Sequence, residues 1–234
     1  MDDETLYGKT VEFNKGRNAL VFIHGGAWID VNNTPWDFQS LCQDILKLNC
    51  QCGLYGIEYR LSPSVQHPTH LKDVIENLYR LVNDNGLDQL QLVGHSVGAT
   101  LAWQVATCEL DNYKVGLVKT KLNAIWLVDG IYSIRELLDE YPDYDYFVSK
   151  AFDEAAPFEE PGQSVIRLPQ EVSIRIVHSY EDELLSLRQS RHLIQILETN
   201  RRCFHFYIDS LGSHNQVYSN ANLAQYIVDN VKFT

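Results

Sequence analysis

Six short runs of apolar and β-branched residues recur along the chain, separated by longer stretches with helical periodicity. Short runs that are apolar throughout are typical of strands covered on both faces. Strands that alternate with helices indicate a mostly parallel sheet with helices on both faces, which is an α/β fold. The predicted strands are Ala19–His24, Gly53–Tyr59, Leu90–Val93, Leu122–Val128, Ser173–His178 and Cys203–Ile208.

Helices are predicted in the stretches between and after these strands. Thr34 begins the first of them as its N-cap, because Pro35 is a residue type favoured at the first helical position. Ser133 and Glu136 form a capping box at the start of another. The predicted helices cover about Thr34–Leu48, Thr69–Asn83, Val97–Glu109, Ile134–Tyr141, Ser186–Thr199 and Asn222–Val231.

The length of 234 residues suits one sizeable domain, and no repeat or Gly/Ser-rich linker divides the chain. We therefore expect a single domain over residues 1–234. Its least regular stretch is Tyr141–Pro169, which contains four of the seven prolines. An insertion of this kind is often a small cap or lid over the site of an α/β protein. The alternative is a surface loop with one short helix.

The balance of charge limits the partners of the chain. Lys and Arg number 19 against 31 Asp and Glu, which gives a formal charge of −12. Such a surface repels nucleic-acid phosphates and anionic lipids, so we expect a small-molecule substrate and no nucleic-acid or membrane partner. The acidic segment Met1–Gly8 lacks the basic-then-apolar layout of a secretory signal, which favours a cytoplasmic location. The oligomeric state is left open, a homodimer included.

The cysteines indicate neither a disulfide framework nor a metal site. There are five, an odd number in a chain that is not small. Cys50 and Cys52 are two residues apart, a spacing that points side chains to opposite faces of an extended chain. Zinc sites normally use more ligands at longer spacings. We expect a reducing compartment, no metal and no organic cofactor.

A candidate nucleophile follows the third predicted strand. Leu90–Val93 runs directly into the sequence GHSVG at residues 94–98, and a predicted helix follows at once. G-x-S-x-G between a strand and a helix is the signature of a nucleophile elbow, a sharp turn that exposes the serine hydroxyl. Side chains at positions 94 and 98 would collide with neighbouring backbone, which explains the two glycines. Ser96 is therefore the predicted nucleophile.

A serine hydroxyl needs a base within hydrogen-bond reach, and the base needs an orienting acid. Among eight histidines, His214 is the candidate because it follows the last predicted strand at the carboxyl edge of the sheet. Three adjacent acids follow the preceding strand, and Asp182 is chosen because the order serine, acid, histidine fits the hydrolase pattern. Asp129 is the spare candidate. Glu181 and Glu183 are interpreted as surface acids.

An oxyanion site is predicted directly after the first buried strand, in the sequence HGGAW at residues 24–28. Two glycines allow backbone N–H groups to point at the oxygen on which charge develops. The predicted donors are the backbone N–H groups of Gly25 or Gly26, together with that of Val97, which follows the nucleophile.

Taken together, these stretches resemble an α/β-hydrolase of the HGGxW type, and specifically the fungal kynurenine formamidases (arylformamidases). The resemblance spans nearly the whole chain. The elbow and the order of the triad specify only the superfamily, whereas HGGxW and the segments around the acid and the histidine are narrower. The matching stretches are HGGAW at His24–Trp28, GIEYRLSP at Gly56–Pro63, GHSVGAT at Gly94–Thr100, DGIYSIRELL at Asp129–Leu138, HSYEDELL at His178–Leu185 and LGSHNQVY at Leu211–Tyr218.

The resemblance implies hydrolysis of N-formyl-L-kynurenine to L-kynurenine and formate, a step of tryptophan degradation that feeds NAD biosynthesis. It implies Ser96 as nucleophile, Asp182 as acid and His214 as base, without metal or cofactor. Only about 18 residues precede the first buried strand, so the antiparallel strands that usually open a hydrolase sheet must be reduced, to about Thr10–Asn14. Several aromatic residues are candidates for holding the aryl ring of the substrate, with core or surface packing the alternative for most of them, and Trp28 and Tyr180 are the two selected. The other candidates are Trp36, Tyr141, Tyr144, Tyr146 and Phe147. Candidates for the carboxylate of the substrate are Arg135, Arg167 and Arg188.

Other functions remain open on the sequence. A general carboxylesterase acting on short-chain acyl esters would use the same triad and differ only in its pocket. A binding protein built on a hydrolase fold predicts a broken triad, whereas serine, acid and histidine are all present here. An acyltransferase or thioesterase with a carrier substrate would need a basic docking surface, which the charge of −12 disfavours.

Overall fold

The computed structural model describes residues 9–109 and 112–233, so the segment Met1–Gly8 considered above lies outside the described residues. Seven strands form one sheet, and six of them coincide with the apolar runs of the sequence. Their bounds are β1 Thr10–Asn14, β2 Asn18–Ile23, β3 Gly53–Ile57, β4 Gln89–His95, β5 Leu122–Val128, β6 Ser173–Ser179 and β7 His205–Asp209. The spatial order is β1-β3-β2-β4-β5-β6-β7.

The pairing confirms the mostly parallel sheet with a reduced antiparallel part. Strand β1 is antiparallel to β3, with Thr10 opposite Ile57. Each of the other neighbouring pairs is parallel. All six predicted strands are present, with ends that shift by up to two residues. Shifts of two residues occur at the ends of β3 and β4 and at the start of β7, which begins at His205 and leaves the exposed Cys203 outside the sheet.

Helices cover the sheet, and in the described residues none is both long and apolar enough to cross a membrane. Three of the α-helices were not among those predicted: Tyr113–Lys121, Asp145–Ala151 and Pro161–Ser164. The first predicted helix begins instead as a 3-10 turn at Pro35–Phe38. The α-helices are α1 Gln39–Lys47, α2 Thr69–Asp84, α3 Val97–Thr107, α4 Tyr113–Lys121, α5 Ile134–Glu140, α6 Asp145–Ala151, α7 Pro161–Ser164, α8 Leu187–Thr199 and α9 Ala221–Asn230.

Strand β2 shows how the core divides between the two faces of the sheet. Because side chains alternate along a strand, Val21 and Ile23 pack on one face with residues of α2, α3 and α8. Leu20 and Phe22 pack on the other face with residues of α1 and α9. All four are inaccessible to solvent. Each such side chain contributes about 1.5–3 kcal/mol on burial, and together they fix the strand that leads into the HGGAW loop.

Residues 141–169 contain two short helices, α6 and α7, and two 3-10 turns, Pro142–Tyr144 and Val165–Arg167. This segment packs on the HGGAW loop. The indole of Trp28 lies in a small apolar cluster, with its ring centroid 6.1 Å from that of Phe147 and 5.0 Å from that of Phe152. The segment is therefore more than a loop with one short helix.

The two neighbouring cysteines do not point to opposite faces as the sequence suggested. The sulfur atoms of Cys50 and Cys52 lie 2.9 Å apart. The reason is local, because Cys52 lies in a bend just before β3 and the chain is not extended there. The hydrogen bond from Cys52 lowers the pKa of the half-buried Cys50 thiol to about 7.

Candidate active site

Ser96 occupies a strained turn between β4 and α3. Its φ is 55° and its ψ is −121°, a backbone conformation that a residue with a side chain rarely adopts. The turn is held by the Ser96 N–H, which donates to the carbonyl of Val128 at 2.9 Å. A Cβ at Gly94 would lie 2.2 Å from the carbonyl oxygen of Gly98, and one at Gly98 would lie 2.1 Å from that of Ile23. Only glycine fits at these two positions.

The structure brings His214 and Asp182 together. His214 Nδ1 lies 2.8 Å from Asp182 Oδ2, and both side chains are buried. The other carboxylate oxygen of Asp182 accepts hydrogen bonds from the backbone N–H groups of Leu184 and Leu185, at 2.9 and 2.8 Å. The carboxylate is thus fixed by its own loop and in turn fixes the imidazole. His214 lines the same cavity as Ser96.

Glu181 and Glu183 do more than the sequence suggested. The carboxylate of Glu183 accepts a hydrogen bond from the His214 N–H at 2.9 Å, and that of Glu181 accepts one from the Gly212 N–H at 2.7 Å. Both residues are exposed, as expected of surface acids, and their carboxylates also hold the turn that carries His214. A single sequence gives no signal for such contacts between distant loops.

His95 holds the His214 backbone from the other side. Its Nε2–H donates to the carbonyl oxygen of His214 at 2.9 Å, and the two ring centroids lie 4.6 Å apart. Burial, and then the neighbouring His214, lowers the pKa of His95 well below its ordinary value, so the ring is neutral. This role of His95 was not predicted. The one signal for it in the sequence is the position of His95 inside the elbow.

Asp129, the spare acid, lies beside the triad without taking the place of Asp182. One carboxylate oxygen accepts from the Ser179 N–H at 2.8 Å and lies 3.4 Å from His178 Nδ1. The other oxygen has no hydrogen-bond partner within the described residues. Burial, and then the charge of Asp182, raises the pKa of Asp129 well above its usual range.

The HGGAW loop makes a left-handed turn. Gly26, Ala27 and Trp28 have φ values of 95°, 51° and 61°. The carbonyl of Gly26 accepts from the N–H groups of Ile29 and Asp30, at 2.9 and 2.8 Å. By contrast, the N–H groups of Gly26 and Ala27 donate no hydrogen bond in residues 9–109 and 112–233. Backbone strain at a functional loop is compatible with donors kept for a ligand.

Two residues that follow β3 support this loop. His24 Nε2 lies 2.9 Å from Glu58 Oε1, and the imidazole stacks on the ring of Tyr59 with centroids 4.4 Å apart. The Tyr59 hydroxyl lies 3.0 Å from the carbonyl oxygens of His24 and Gly25. Val97 is the first residue of α3, so its N–H has no acceptor within the helix.

These elements surround a cavity of about 430 Å³. Its lining residues are Gly26, Ala27, Ile29, Asp30, Asn33, Ser96, Tyr146, Leu184, His214 and Asn215.

The two aromatic residues expected at the substrate ring do not line this cavity. Trp28 is 1% exposed, because it packs into the core beneath α6. Tyr180 is 65% exposed, and its N–H donates to the carbonyl of Asp209 at the end of β7. Tyr146 of α6 is the aromatic side chain among the lining residues, and the apolar lining also includes Ile29 and Leu184. Sequence pattern alone does not show which aromatic side chain of an insertion faces inward.

None of the three arginines considered for the substrate carboxylate lines the cavity either. Arg135 pairs with Glu136, with 3.6 Å between nitrogen and oxygen, and Arg188 pairs with the same carboxylate at 2.7 Å. Arg167 pairs with Glu159 and donates to the backbone of Thr107.

Within the described residues, two groups of side chains bring three metal-ligand atoms within 4.8 Å of one another: His95, Asp129 and His214, and Asp129, His178 and Asp182. One nitrogen of each histidine is engaged in a protein hydrogen bond, whereas His95 Nδ1 has no partner among the described residues. His214 Nδ1 contacts Asp182, His95 Nε2 contacts the His214 carbonyl, and His178 Nδ1 contacts the hydroxyl of Ser190. The cluster is accounted for as the buried polar support of the His214 loop.

The fold and this site define an enzyme class, and comparison with known families agrees. A family model described as the alpha/beta hydrolase fold matches residues 20–154. The chain is therefore an α/β hydrolase.

Among curated proteins, it is 44% identical to the kynurenine formamidase of Eremothecium gossypii, covering 91% of this chain and 92% of the relative. It is 41% identical to that of Saccharomyces cerevisiae, covering 98% and 96%. The chain belongs to the family of fungal kynurenine formamidases.

Solved structures agree on the fold. Esterase B from Lactobacillus rhamnosis superimposes with a TM-score of 0.71 at 17% identity, covering 92% of this chain and 74% of that chain. A truncated carbohydrate esterase from gut microbiota superimposes with a TM-score of 0.67 at 15% identity, covering 97% and 96%. At these identities the likeness concerns the α/β-hydrolase fold alone.

Proposed function

We propose that this protein is an arylformamidase that hydrolyses N-formyl-L-kynurenine to L-kynurenine and formate, with Ser96, His214 and Asp182 as its catalytic triad. The observation that carries the proposal is the 2.8 Å contact between His214 and Asp182, on a cavity that also contains the strained Ser96. Identity of 41–44% to kynurenine formamidases over more than nine-tenths of the chain supports the substrate.

In the acylation step, Ser96 Oγ attacks the formyl carbon while His214 Nε2 takes the hydroxyl proton. Asp182 holds the imidazole in the tautomer that leaves Nε2 free to accept it, and stabilises the imidazolium that forms. His214 then gives this proton to the arylamine nitrogen as the C–N bond breaks. The products of this step are the amine of L-kynurenine and a formyl ester on Ser96.

Backbone N–H groups stabilise the oxyanion in our proposal. Val97 supplies one donor at the start of α3, and the left-handed turn of the HGGAW loop supplies others. Gly25 or Gly26 are the donors expected from the sequence. The unused N–H of Ala27 joins Gly26 as a candidate, since both residues line the cavity. Donors held in place before the reaction need no reorganisation when the charge develops.

In the deacylation step, water attacks the formyl ester while His214 takes one of its protons. The second tetrahedral intermediate collapses, the proton returns to Ser96 Oγ, and formic acid leaves and gives up its proton to water to become formate. No metal or cofactor takes part in either step as proposed.

We propose that residues 141–169 form a small cap on the single domain. Support comes from α6, whose Phe147 packs on Trp28 of the HGGAW loop and whose Tyr146 lines the cavity. A cap of this kind excludes water from the reacting groups and supplies part of the acyl or aryl pocket.

We also propose a reducing compartment, the cytoplasm, as the place of action. Five cysteines, an odd number, in a chain of this size favour surroundings that keep thiols reduced. Assembly as a homodimer stays an expectation, which light scattering of the purified protein tests.

The proposed activity is tested by measuring kcat/KM for N-formyl-L-kynurenine beside that for p-nitrophenyl acetate. Ser96→Ala serves as the blank for each substrate and should lose several orders of magnitude in kcat. A strong preference for the formamide supports the arylformamidase. Good turnover of the ester with no cleavage of the formamide would instead assign the chain as a general carboxylesterase on short-chain acyl esters.

A further inference from the structure

The charges of the cavity, compared with those of the proposed substrate, suggest how one end of the substrate is recognised. N-formyl-L-kynurenine carries an α-ammonium and an α-carboxylate at the end remote from the formyl group. Of the described residues that line the cavity, Asp30 is the one with a formal charge, apart from the proposed base His214. No Lys or Arg is among them, and the three arginines discussed above pair with glutamates elsewhere.

Asp30 is held beside the proposed oxyanion loop by its own backbone. Its N–H donates to the carbonyl of Gly26 at 2.8 Å, so its position depends on the same left-handed turn that presents the oxyanion donors. The reacting end and the charged end of the cavity are thus built from one loop.

Hydrogen bonds orient the Asp30 carboxylate through one of its two oxygens. Oδ1 accepts from the backbone N–H of Asn32 at 2.9 Å and from its side-chain amide at 2.8 Å. Oδ2 makes no hydrogen bond with residues 9–109 or 112–233. An oriented anion with a free acceptor oxygen suits an ammonium ligand, which offers three donors.

We propose that Asp30 binds the α-ammonium group of the substrate and makes the enzyme select amino-acid formamides over formanilides and aryl esters that lack this group. The inference rests on the proposed function. It assigns electrostatic recognition to the ammonium end, and leaves the carboxylate to neutral donors such as the amide of Asn215, which also lines the cavity.

The test is the variant Asp30→Asn with two substrates. An asparagine keeps the Oδ1 acceptor that Asn32 uses, so the loop is preserved while the charge is removed. The first substrate is N-formyl-L-kynurenine, and the second is its deamino analogue 4-(2-formamidophenyl)-4-oxobutanoate. For the first, kcat/KM should fall about 10- to 100-fold, mainly through KM, as expected for loss of a charge-assisted hydrogen bond. For the second, kcat/KM should stay the same or rise.

Asp229→Asn is the matched control. Asp229 lies in α9, outside residues 141–169, and is also an exposed aspartate whose Oδ1 accepts a hydrogen bond, from the side-chain amide of Gln225 at 2.8 Å, but it does not line the cavity. This variant should treat both substrates as the parent does, with the same thermal midpoint as Asp30→Asn.

Three results would contradict the inference, and each has a different cause. An equal loss on both substrates would show that Asp30 supports the loop and does not read the ammonium. No loss on either would show that it makes no contact with the substrate. If the unmodified enzyme cleaves p-nitrophenyl acetate but not the formamide, the proposed function fails, and with it the premise for Asp30.

Discussion

The hydroxyl of Tyr59 lies 3.0 Å from the carbonyl oxygens of both His24 and Gly25. In a planar trans peptide the C=O and the next N–H point in opposite directions. A hydroxyl that holds these two carbonyls therefore turns the N–H groups of Gly25 and Gly26 to the other side of the loop. Burial raises the pKa of Tyr59 well above its ordinary value, so the hydroxyl keeps the proton that it donates. Tyr59 is thus a positioning residue for the proposed oxyanion donors.

Removing this hydroxyl should slow the chemical step more than it weakens substrate binding. We expect Tyr59→Phe to lower kcat for N-formyl-L-kynurenine by about 10-fold with little change in KM. This is less than the roughly 100- to 1,000-fold loss expected when an oxyanion donor itself is removed. Steady-state kinetics measures the split.

Tyr55→Phe is the control for that prediction. Tyr55 belongs to β3, the strand that leads to Tyr59, but within the described part of the chain its hydroxyl contacts the carbonyl of Gly16 alone, at 3.5 Å. This variant should keep the parent kcat. A Tyr59→Phe enzyme with unchanged kcat would show that the loop keeps its donors aligned without the hydroxyl.

The loop of three acids gives a second prediction, because its members contact different atoms of the same histidine. Asp182→Asn should lower kcat by about 1,000- to 10,000-fold, since an amide nitrogen cannot accept the Nδ1–H and the wrong tautomer is favoured. Glu183→Gln should stay within about threefold, because its remaining carbonyl oxygen can still accept the His214 N–H. Kinetics of both variants, with circular dichroism to verify folding, distinguishes the two roles. The reverse order of losses would reassign the acid.

Much of the fold could be predicted because buried parallel strands are written in the sequence as apolar runs. The elbow was equally clear, since the crowding at Gly94 and Gly98 leaves one residue type at each position. Helix α4 was missed for a physical reason. It has a Gly in its middle and buries only Val115 and Val118, so its apolar face is too short to produce a periodic pattern. Its one local signal is Asn112, whose side chain accepts from the Val115 N–H.

The candidate site likewise contains residues that could be predicted from the sequence and residues that could not. The residues expected to react are found together, because each lies directly after a strand at one edge of the sheet. The residues that support them, His95, Glu183 and Tyr59, act through contacts 119, 31 and 35 residues away in sequence, which no local pattern records. The wall of the cavity depends on how residues 141–169 pack, and this is why Tyr146 could not be singled out from the other aromatic candidates.

Buried histidines should make the fold sensitive to mild acid. Burial lowers the pKa of His70 to about 4, and lowers those of His67, His95 and His178. Between about pH 6.5 and 4 the unfolded chain therefore binds more protons than the folded one, so the free energy of unfolding decreases as the pH falls. For one histidine the slope approaches about 1.4 kcal/mol per pH unit.

Urea unfolding between pH 4.5 and 8 measures this dependence, and His70→Gln isolates one contribution. Glutamine can still donate to the Ser62 hydroxyl, which His70 Nε2 contacts at 3.1 Å, but it does not titrate. The variant should lose stability more slowly below pH 6.5 and run parallel to the parent above pH 7. Equal slopes throughout would show that His70 titrates alike in the folded and unfolded chain.

Two glycines in helices should respond to alanine in opposite directions. Gly116 lies exposed in the middle of α4, where an added Cβ would have open space around it. Gly116→Ala should raise the free energy of unfolding by about 0.5–1 kcal/mol, because alanine loses less backbone entropy on folding.

Gly98 lies in the first turn of α3, where an added Cβ would meet the carbonyl of Ile23 at 2.1 Å. Gly98→Ala should force β2 and α3 apart, which lowers the thermal midpoint and displaces Ser96 from its strained conformation. Thermal unfolding and esterase activity of the two variants, measured side by side, test both signs. A Gly98→Ala protein as stable and active as Gly116→Ala would show that the elbow can relax around a methyl group.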